Sequence, residues 1–121
     1  MKILLLEPDA ELAKTIAAFL SKKHHEVVTV ASAQAAIHQA DELKPDAVIL
    51  ELAIPEHNGI EFLQEFKSYS DWLDVPIFVY SRIPLADSNL TDQQWQKYGV
   101  NTYFYKPTTT LENLERAVSL L

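Results

Sequence analysis

Four residues of this sequence have side chains that handle cations and phosphoryl groups, and each directly follows a short apolar run. They are Glu7, Glu51, Ser81 and Lys106. Carboxylate oxygens are the ligands that Mg²⁺ prefers, while a hydroxyl and an ammonium neutralise and orient phosphate oxygens. If the fold brings these side chains together, they suit a site for a divalent cation and a phosphoryl group.

The apolar runs that precede these residues have the length and composition of strands covered on both faces. Five such runs occur, at residues 3–6, 27–30, 47–50, 77–80 and 103–105. Segments with apolar residues at helical spacing lie between them. Strands that alternate with helices form parallel sheets through right-handed crossovers, so we expect a doubly wound α/β fold with helices on both faces of a five-stranded parallel sheet.

The topology of such a sheet gives the four polar residues a common location. Ligands bind outside the carboxyl ends of the strands, where the strand order reverses. We therefore expect the four side chains to meet at that edge of the sheet. Helix starts are marked by three pairs with capping-box spacing, in which a side-chain acceptor precedes Glu or Gln by three residues. The pairs are Asn58 with Glu61, Thr91 with Gln94, and Thr109 with Glu112.

Composition limits the classes of protein that the chain can belong to. With 121 residues, 48% of them hydrophobic, residues 1–121 are expected to form a single domain. The net charge of -7 argues against nucleic-acid binding and favours a protein partner or a small cation. The chain has no cysteine for disulfides or thiolate metal sites, and its first apolar run is too short for a membrane span. We expect a cytoplasmic protein.

Four segments, in this order and spacing, resemble the receiver domain of response regulators in two-component phosphorelay signalling. They are KILLLEPD, DAVILELAIPEHNG, VPIFVYS and YFYKP. The resemblance covers essentially the whole chain. It implies a flavodoxin-like (βα)5 fold with strand order 2-1-3-4-5.

The resemblance also implies a role for each matching residue. In the family, the residue at Glu51 is the aspartate that accepts a phosphoryl group, and the residues at Glu7 and Pro8 form the acidic pair that holds Mg²⁺. Ser81 matches the switch hydroxyl and Lys106 the lysine that contacts phosphate. The remaining matches are Tyr103 at the switch aromatic, Gly59 in the turn after the third strand, and Pro107 after the lysine, where the bond is often cis. Tyr103 is interpreted either as a packed strand residue or as the moving switch.

Two departures from the family pattern change the expected chemistry. Glu51 carries its carboxylate roughly 1.5 Å further out than an aspartate does. A misplacement of about 1 Å can lower a rate on the order of 100-fold, so efficient phosphorylation of Glu51 is not expected. Pro8 offers no side-chain oxygen, and Asp9, one residue later, is expected to cap the first helix. Mg²⁺ binding through Glu7 and Asp9 should therefore be weak.

These departures lead to the main functional hypothesis. Glu51 is expected to accept a salt bridge or a hydrogen bond from Lys106 and from Ser81, which would fix one conformation without phosphate. The chain is then an atypical, non-enzymatic receiver, or pseudo-receiver, that acts through protein–protein interaction and needs no cofactor. The runner-up is a conventional Mg²⁺-dependent receiver in which Asp9 rescues metal binding. A small-ligand domain of flavodoxin-like shape ranks third, because the chain lacks a glycine-rich phosphate loop.

The expected interaction surface is the face formed by the fourth helix, fifth strand and fifth helix. A histidine kinase, an effector domain, another regulator or a second copy of the chain are the expected partners. The connection at residues 82–98 is longer than usual for the family, with its short helix placed late after Thr91. We expect Trp95 and Tyr98 to be exposed aromatic anchors near this face. His24, His25 and His57 are not expected to form a metal site.

Overall fold

A parallel sheet organises the computed structural model, which describes residues 1–56 and 58–121. The strands are β1 Lys2–Leu6, β2 Glu26–Val30, β3 Ala47–Leu50, β4 Ile77–Ser81 and β5 Val100–Tyr105. They form one sheet in the order β2-β1-β3-β4-β5, and every neighbouring pair is parallel. The predicted doubly wound fold and strand order are confirmed. The expectation for His57 lies outside the described residues.

Helices connect the strands and cover both faces of the sheet. They are α1 Ala10–Lys22, α2 Ala33–Leu43, α3 Gly59–Phe66, α4 Asp92–Lys97 and α5 Leu111–Ser119. Short 3₁₀ turns lie at Ser70–Trp72, Leu85–Asp87 and Lys106–Thr108. None of these described helices combines the length and the apolarity that crossing a bilayer requires.

Two hydrophobic cores lie on opposite faces of the sheet because successive residues of a strand point to opposite sides. In β1, Ile3 and Leu5 pack against α1 and α5, whereas Leu4 and Leu6 pack against α2 and α3. The central strands β1, β3 and β4 are covered on both sides, as predicted. The outer strands β2 and β5 are only partly buried, so the prediction of full coverage is wrong for them. Each has a neighbouring strand on one side only.

The helix starts agree with two of the three predicted caps. Asn58 accepts a hydrogen bond from the Glu61 amide at 2.9 Å, and Thr91 forms a reciprocal capping box with Gln94. The prediction for Thr109 is wrong, because the neighbouring Thr110 caps α5 by accepting from an amide three residues on. Capping requires the residue immediately before the first helical one, and in a run of threonines spacing alone does not identify it.

The connection between β4 and β5 has the predicted late, short helix, but its aromatic residues are less exposed than expected. Tyr98 follows the end of α4, and only 4% of its surface is exposed, so it belongs to the core between α2, α3 and the sheet. Trp95 is half-buried and packs against the same core. The prediction that Tyr98 is an exposed interface anchor is therefore wrong.

Gly59 allows a close approach between the start of α3 and the chain that follows β3. Its amide donates to the Leu52 carbonyl at 2.9 Å. A Cβ atom at position 59 would lie 2.6 Å from Leu52 Cδ2 and 2.8 Å from Leu52 Cα. The second of these contacts is with backbone, so it cannot be relieved by a change of rotamer. Gly59 thus holds α3 directly against the segment that begins with Glu51.

The substitution Gly59→Ala is expected to lower the free energy of unfolding by about 1–3 kcal/mol, because the added methyl overlaps the Leu52 backbone. Urea denaturation followed by circular dichroism measures this change. Gln64→Ala, at an exposed position of the same helix, is the matched control and should stay within about 0.5 kcal/mol of wild type. Equal stability of Gly59→Ala and wild type would contradict the steric argument.

Candidate functional site

The structure brings together the four polar residues that follow strands. Glu7 follows β1 and Glu51 follows β3, while Ser81 is the last residue of β4 and Lys106 follows β5. The strand order reverses between β1 and β3, so these ends surround the position where ligands bind in such sheets. The predicted convergence is present, and the side chains are in direct contact.

Glu51 lies at the centre of this group, with only 2% of its surface exposed. Its Oε1 atom accepts hydrogen bonds from Lys106 Nζ at 2.7 Å and from the Arg82 amide at 3.0 Å. Its Oε2 atom accepts hydrogen bonds from the Ser81 hydroxyl and from the Ala53 amide, the latter at 3.0 Å. Each carboxylate oxygen therefore has two donors, and these come from three different segments of the chain.

The charge of Glu51 is maintained by these donors. Burial raises the pKa of the Glu51 carboxyl, but hydrogen bonds from the Ala53 amide, Lys106, Ser81 and the Arg82 amide outweigh burial and hold the pKa below its ordinary value. The carboxyl is consequently ionised at neutral pH. Position 51 thus carries a negative charge at neutral pH.

Lys106 joins Glu51 to Glu7. Its Nζ atom lies 2.7 Å from Glu51 Oε1 and 2.6 Å from Glu7 Oε1. The side chain of Lys106 is 14% exposed, that of Glu51 2% and that of Glu7 3%. The three charged groups are therefore almost completely shielded from solvent. Burial lowers the pKa of Lys106, but the hydrogen bonds and charges of the two carboxylates outweigh burial and raise the pKa above its ordinary value. The Tyr80 ring also lies beneath the ammonium, 5.6 Å from Nζ to the ring centroid.

The residues present do not fit the Mg²⁺ ion that the family resemblance implies. Glu7 uses Oε1 to bind Lys106, and its Oε2 accepts the Asp9 amide at 3.1 Å. The Asp9 side chain caps α1 by accepting from the Glu11 and Leu12 amides, both at 3.1 Å. Pro8 supplies no side-chain oxygen, and an ammonium lies between the two remaining carboxylates. Within residues 1–56 and 58–121, no three acidic, histidine or cysteine side chains are grouped as metal ligands.

A second set of contacts leads from Ser81 towards Tyr103. The Ile83 amide donates to Ser81 Oγ at 3.0 Å, and the Tyr103 hydroxyl donates to the Ile83 carbonyl at 2.5 Å. Burial raises the pKa of Tyr103, so the phenol stays protonated and able to donate. Tyr103 is half-buried and packs against the core between α2, α3 and the sheet. Glu51 is therefore linked to Tyr103 through Ser81 and the chain that follows β4.

Some contacts of the site have no signature in the sequence. Ala53 and Arg82 each donate a backbone N–H to Glu51, and every residue except proline carries this group. Only the loop conformation aims them at the carboxylate. The bond before Pro107 is trans, as are all peptide bonds of the described residues, which differs from the cis bond that is frequent in the family. Lys106 and Pro107 instead begin a 3₁₀ turn at the end of β5.

Solved structures share this fold. A sensor protein from Polaromonas sp. JS666 superposes with a TM-score of 0.87 at 24% identity, covering 98% of this chain and 93% of that chain. The BeF3-activated receiver domain of RstA from Klebsiella pneumoniae superposes with a TM-score of 0.80 at 25% identity, covering 99% of this chain and 97% of that chain.

A family model identifies the family of this chain, and curated relatives are similar to it. The probable C4-dicarboxylate response regulator DctR of Halalkalibacterium halodurans is 26% identical over 98% of this chain and 50% of its own length. KdpE of Mycobacterium tuberculosis is 23% identical over 84% of this chain and 46% of its own length. The chain thus spans about half the length of these relatives. The model of the response regulator receiver domain matches residues 3–119, and the chain therefore belongs to that family.

Proposed function

We propose that this receiver domain acts without phosphorylation, as a non-enzymatic module of two-component signalling that works through protein contacts. The observation that carries the proposal is the environment of Glu51. The carboxylate is 2% exposed, and both of its oxygens are occupied by hydrogen-bond donors. A carboxylate in this state is shielded from solvent, and each of its oxygens already accepts two hydrogen bonds, so it is poorly placed to attack a phosphoryl donor.

The chemistry of phosphoryl transfer supports the same proposal. Transfer requires in-line placement of the nucleophile and cations that neutralise the developing charge. The longer Glu51 side chain is drawn towards Ser81 and Lys106, which in the family contact the phosphate itself. The cation between the carboxylates is an ammonium of the protein. The site therefore suits neither in-line attack by Glu51 nor neutralisation of the developing charge by a metal ion.

Ser81 and Tyr103, which match the switch residues of the family, support an active-like conformation. In the family, activation draws the switch hydroxyl towards the phosphorylated residue and turns the switch aromatic inward. Here the Ser81 hydroxyl donates to Glu51, and Tyr103 packs inward with its hydroxyl on the Ile83 carbonyl. Glu51 supplies about one negative charge where a phosphoryl group supplies about two, so the charge is a partial substitute.

The proposed interaction surface is the face of α4, β5 and α5. Leu85, at the approach to α4, is 50% exposed, and Trp95 on α4 is half-buried. Together with Leu90 they line a surface groove of about 460 Å³. Apolar and aromatic side chains at such positions are favoured anchors of protein interfaces. A kinase, an effector domain, another regulator or a second copy of the chain would contact this face.

Incubation of the purified domain with acetyl phosphate and Mg²⁺ tests the proposal. Intact-mass spectrometry is expected to show no gain of a phosphoryl group, because Glu51 is buried and fully hydrogen-bonded. The variant Glu51→Gln shows whether any phosphoryl group that is gained lies on residue 51. A phosphoryl group that is present on wild type and absent from Glu51→Gln would overturn the proposal, whereas a gain shared by both lies elsewhere in the chain.

Hydrogen exchange tests whether the charge at position 51 holds the segment after β4. In Glu51→Gln, the donors from Ser81 and Arg82 lose their ionised acceptor, so amides in the segment 82–91 should exchange several-fold faster. Mass spectrometry of a peptide that covers this segment measures the rate. Glu42→Gln, which removes a carboxylate that is 70% exposed on α2, is the control and should leave the rate unchanged. Identical exchange in wild type and Glu51→Gln would exclude the proposed coupling.

The contribution of Glu51 to the stability of the domain should be present at neutral pH and lost in acid. The pKa of Glu51 is lower in the folded state than its ordinary value of 4.5, so its stabilisation is complete above about pH 4.5 and disappears as the pH falls through the folded-state pKa. Wild type should therefore be more stable than Glu51→Gln at pH 7, and the difference should narrow below pH 4.5. Urea unfolding across this range gives both free energies. A difference that is independent of pH would contradict the assigned ionisation.

A further inference from the structure

We infer that the groove between α2 and α3 is a docking site for a basic amphipathic helix of a partner protein. The groove has a volume of about 760 Å³ and shares no residue with the groove at Leu85, Leu90 and Trp95. It therefore adds a second interaction surface to the face of α4, β5 and α5. The inference is independent of the proposed function, because such a groove can bind a partner whether or not Glu51 is phosphorylated.

Two helices line the groove with side chains at helical spacing. From α2 come Ala33, Ile37 and Asp41, and from α3 come Glu61 and Glu65. Residues four apart lie on one face of a helix, so each helix presents one row of side chains to the groove. Asp41 also lines an adjoining hollow of about 420 Å³ at the C-terminal end of α2. The groove and the hollow together extend along the whole of α2.

The apolar part of the groove is small. Phe62 lines it but is only 2% exposed, whereas Ala33 and Ile37 are half-buried and leave part of their surface accessible. All three belong to, or pack against, the core between α2, α3 and the sheet, so they form a firm base. A partner would place one or two apolar side chains here and would need polar contacts for the rest of its affinity.

The charge of the groove selects the partner. The sequences of α2 and α3 contain four acidic residues and no lysine or arginine. Three of the four, Asp41, Glu61 and Glu65, are exposed and line the groove from both sides. His38 lines it as well and lies 4.0 Å from the fourth, Glu42. Like charges around one groove repel each other and attract a cationic surface, so lysine or arginine side chains of a partner would complement them.

A helix fits the length and the spacing of this groove. With 11 residues, α2 is about 16 Å long, which about three turns of a partner helix would match. Amphipathic helices bind in grooves through apolar side chains that repeat every three or four residues, the interval at which α2 presents its own row. Lys44 lines the adjoining hollow and ends the acidic part of this surface. The occupant is therefore a short helix with one apolar face that is flanked by lysine or arginine.

A synthetic helix tests the inference. The probe is a fluorescein-labelled, side-chain-stapled peptide with leucine at one-turn intervals and lysine on both flanks of that face. A scrambled peptide of the same composition and a peptide with glutamate in place of lysine are the controls. Fluorescence anisotropy should show saturable binding of the probe alone, and binding should weaken as salt rises because salt screens charge pairs. An NMR titration of the ¹⁵N-labelled domain should place the largest shifts in α2 and α3.

A double variant tests the acidic side chains. Asp41→Asn combined with Glu65→Gln removes one carboxylate from each side of the groove, and the loss of two exposed charge pairs should weaken binding of the probe about 2- to 30-fold. Glu61 is left intact because it also takes part in the contacts at the start of α3. Glu11→Gln combined with Glu112→Gln, at exposed positions of α1 and α5, changes the net charge equally and should bind like wild type.

Several results would overturn the inference. One is no binding of the probe, and another is equal binding of the scrambled peptide, which would reduce the attraction to net charge alone. Equal weakening in both double variants, or NMR shifts confined to α4, β5 and α5, would also contradict it. Sedimentation of the domain without peptide tests a different occupant. A dimer that dissociates in Asp41→Asn combined with Glu65→Gln would place a second copy of the chain in the groove and overturn the assignment of a basic helix.

Discussion

The buried ion triplet of Glu7, Lys106 and Glu51 is the interaction on which the rest of the site depends. Lys106 lies 99 residues from Glu7 and 55 residues from Glu51 along the chain, so the triplet ties together the ends of β1, β3 and β5. Removal of Lys106 would leave two buried carboxylates without their cation, and breaking a buried ion pair in this way typically costs about 3–5 kcal/mol. The arrangement therefore specifies the local structure as well as stabilising it.

From this triplet, one route of contacts reaches the surface of the domain. Glu51 binds the Ser81 hydroxyl and the Arg82 amide, and Ser81 in turn accepts from the Ile83 amide. The Ile83 carbonyl accepts from Tyr103 on β5. A change of charge at position 51 would alter the first of these contacts and thereby the segment that leads to α4. The sheet itself has no comparable freedom, because β1, β3 and β4 are buried on both sides.

The sequence predicted the parts of this molecule that follow from periodicity and topology. Strand positions followed from periodicity and the strand order from the family resemblance, and both were correct. The meeting of Glu7, Glu51, Ser81 and Lys106 followed from the parallel sheet, because parallel strands end at one edge. Features set by tertiary detail were not predictable. The burial of Tyr98 depends on how the chain turns after α4, and the choice of Thr110 over Thr109 as a cap depends on where the first helical turn closes. The roles assigned to the site residues remain predictions.

The encoded negative charge of Glu51, held in place by four hydrogen-bond donors, has a consequence for how such a domain can be regulated. A phosphoryl group has a lifetime that kinases and phosphatases set, but a glutamate encoded at the same position lasts as long as the polypeptide. On the proposed function, the signal could be turned down only by reducing the number of copies, through synthesis or proteolysis, or by competition for the partner. Gene expression would then take the place of the phosphorylation cycle as the input of this module.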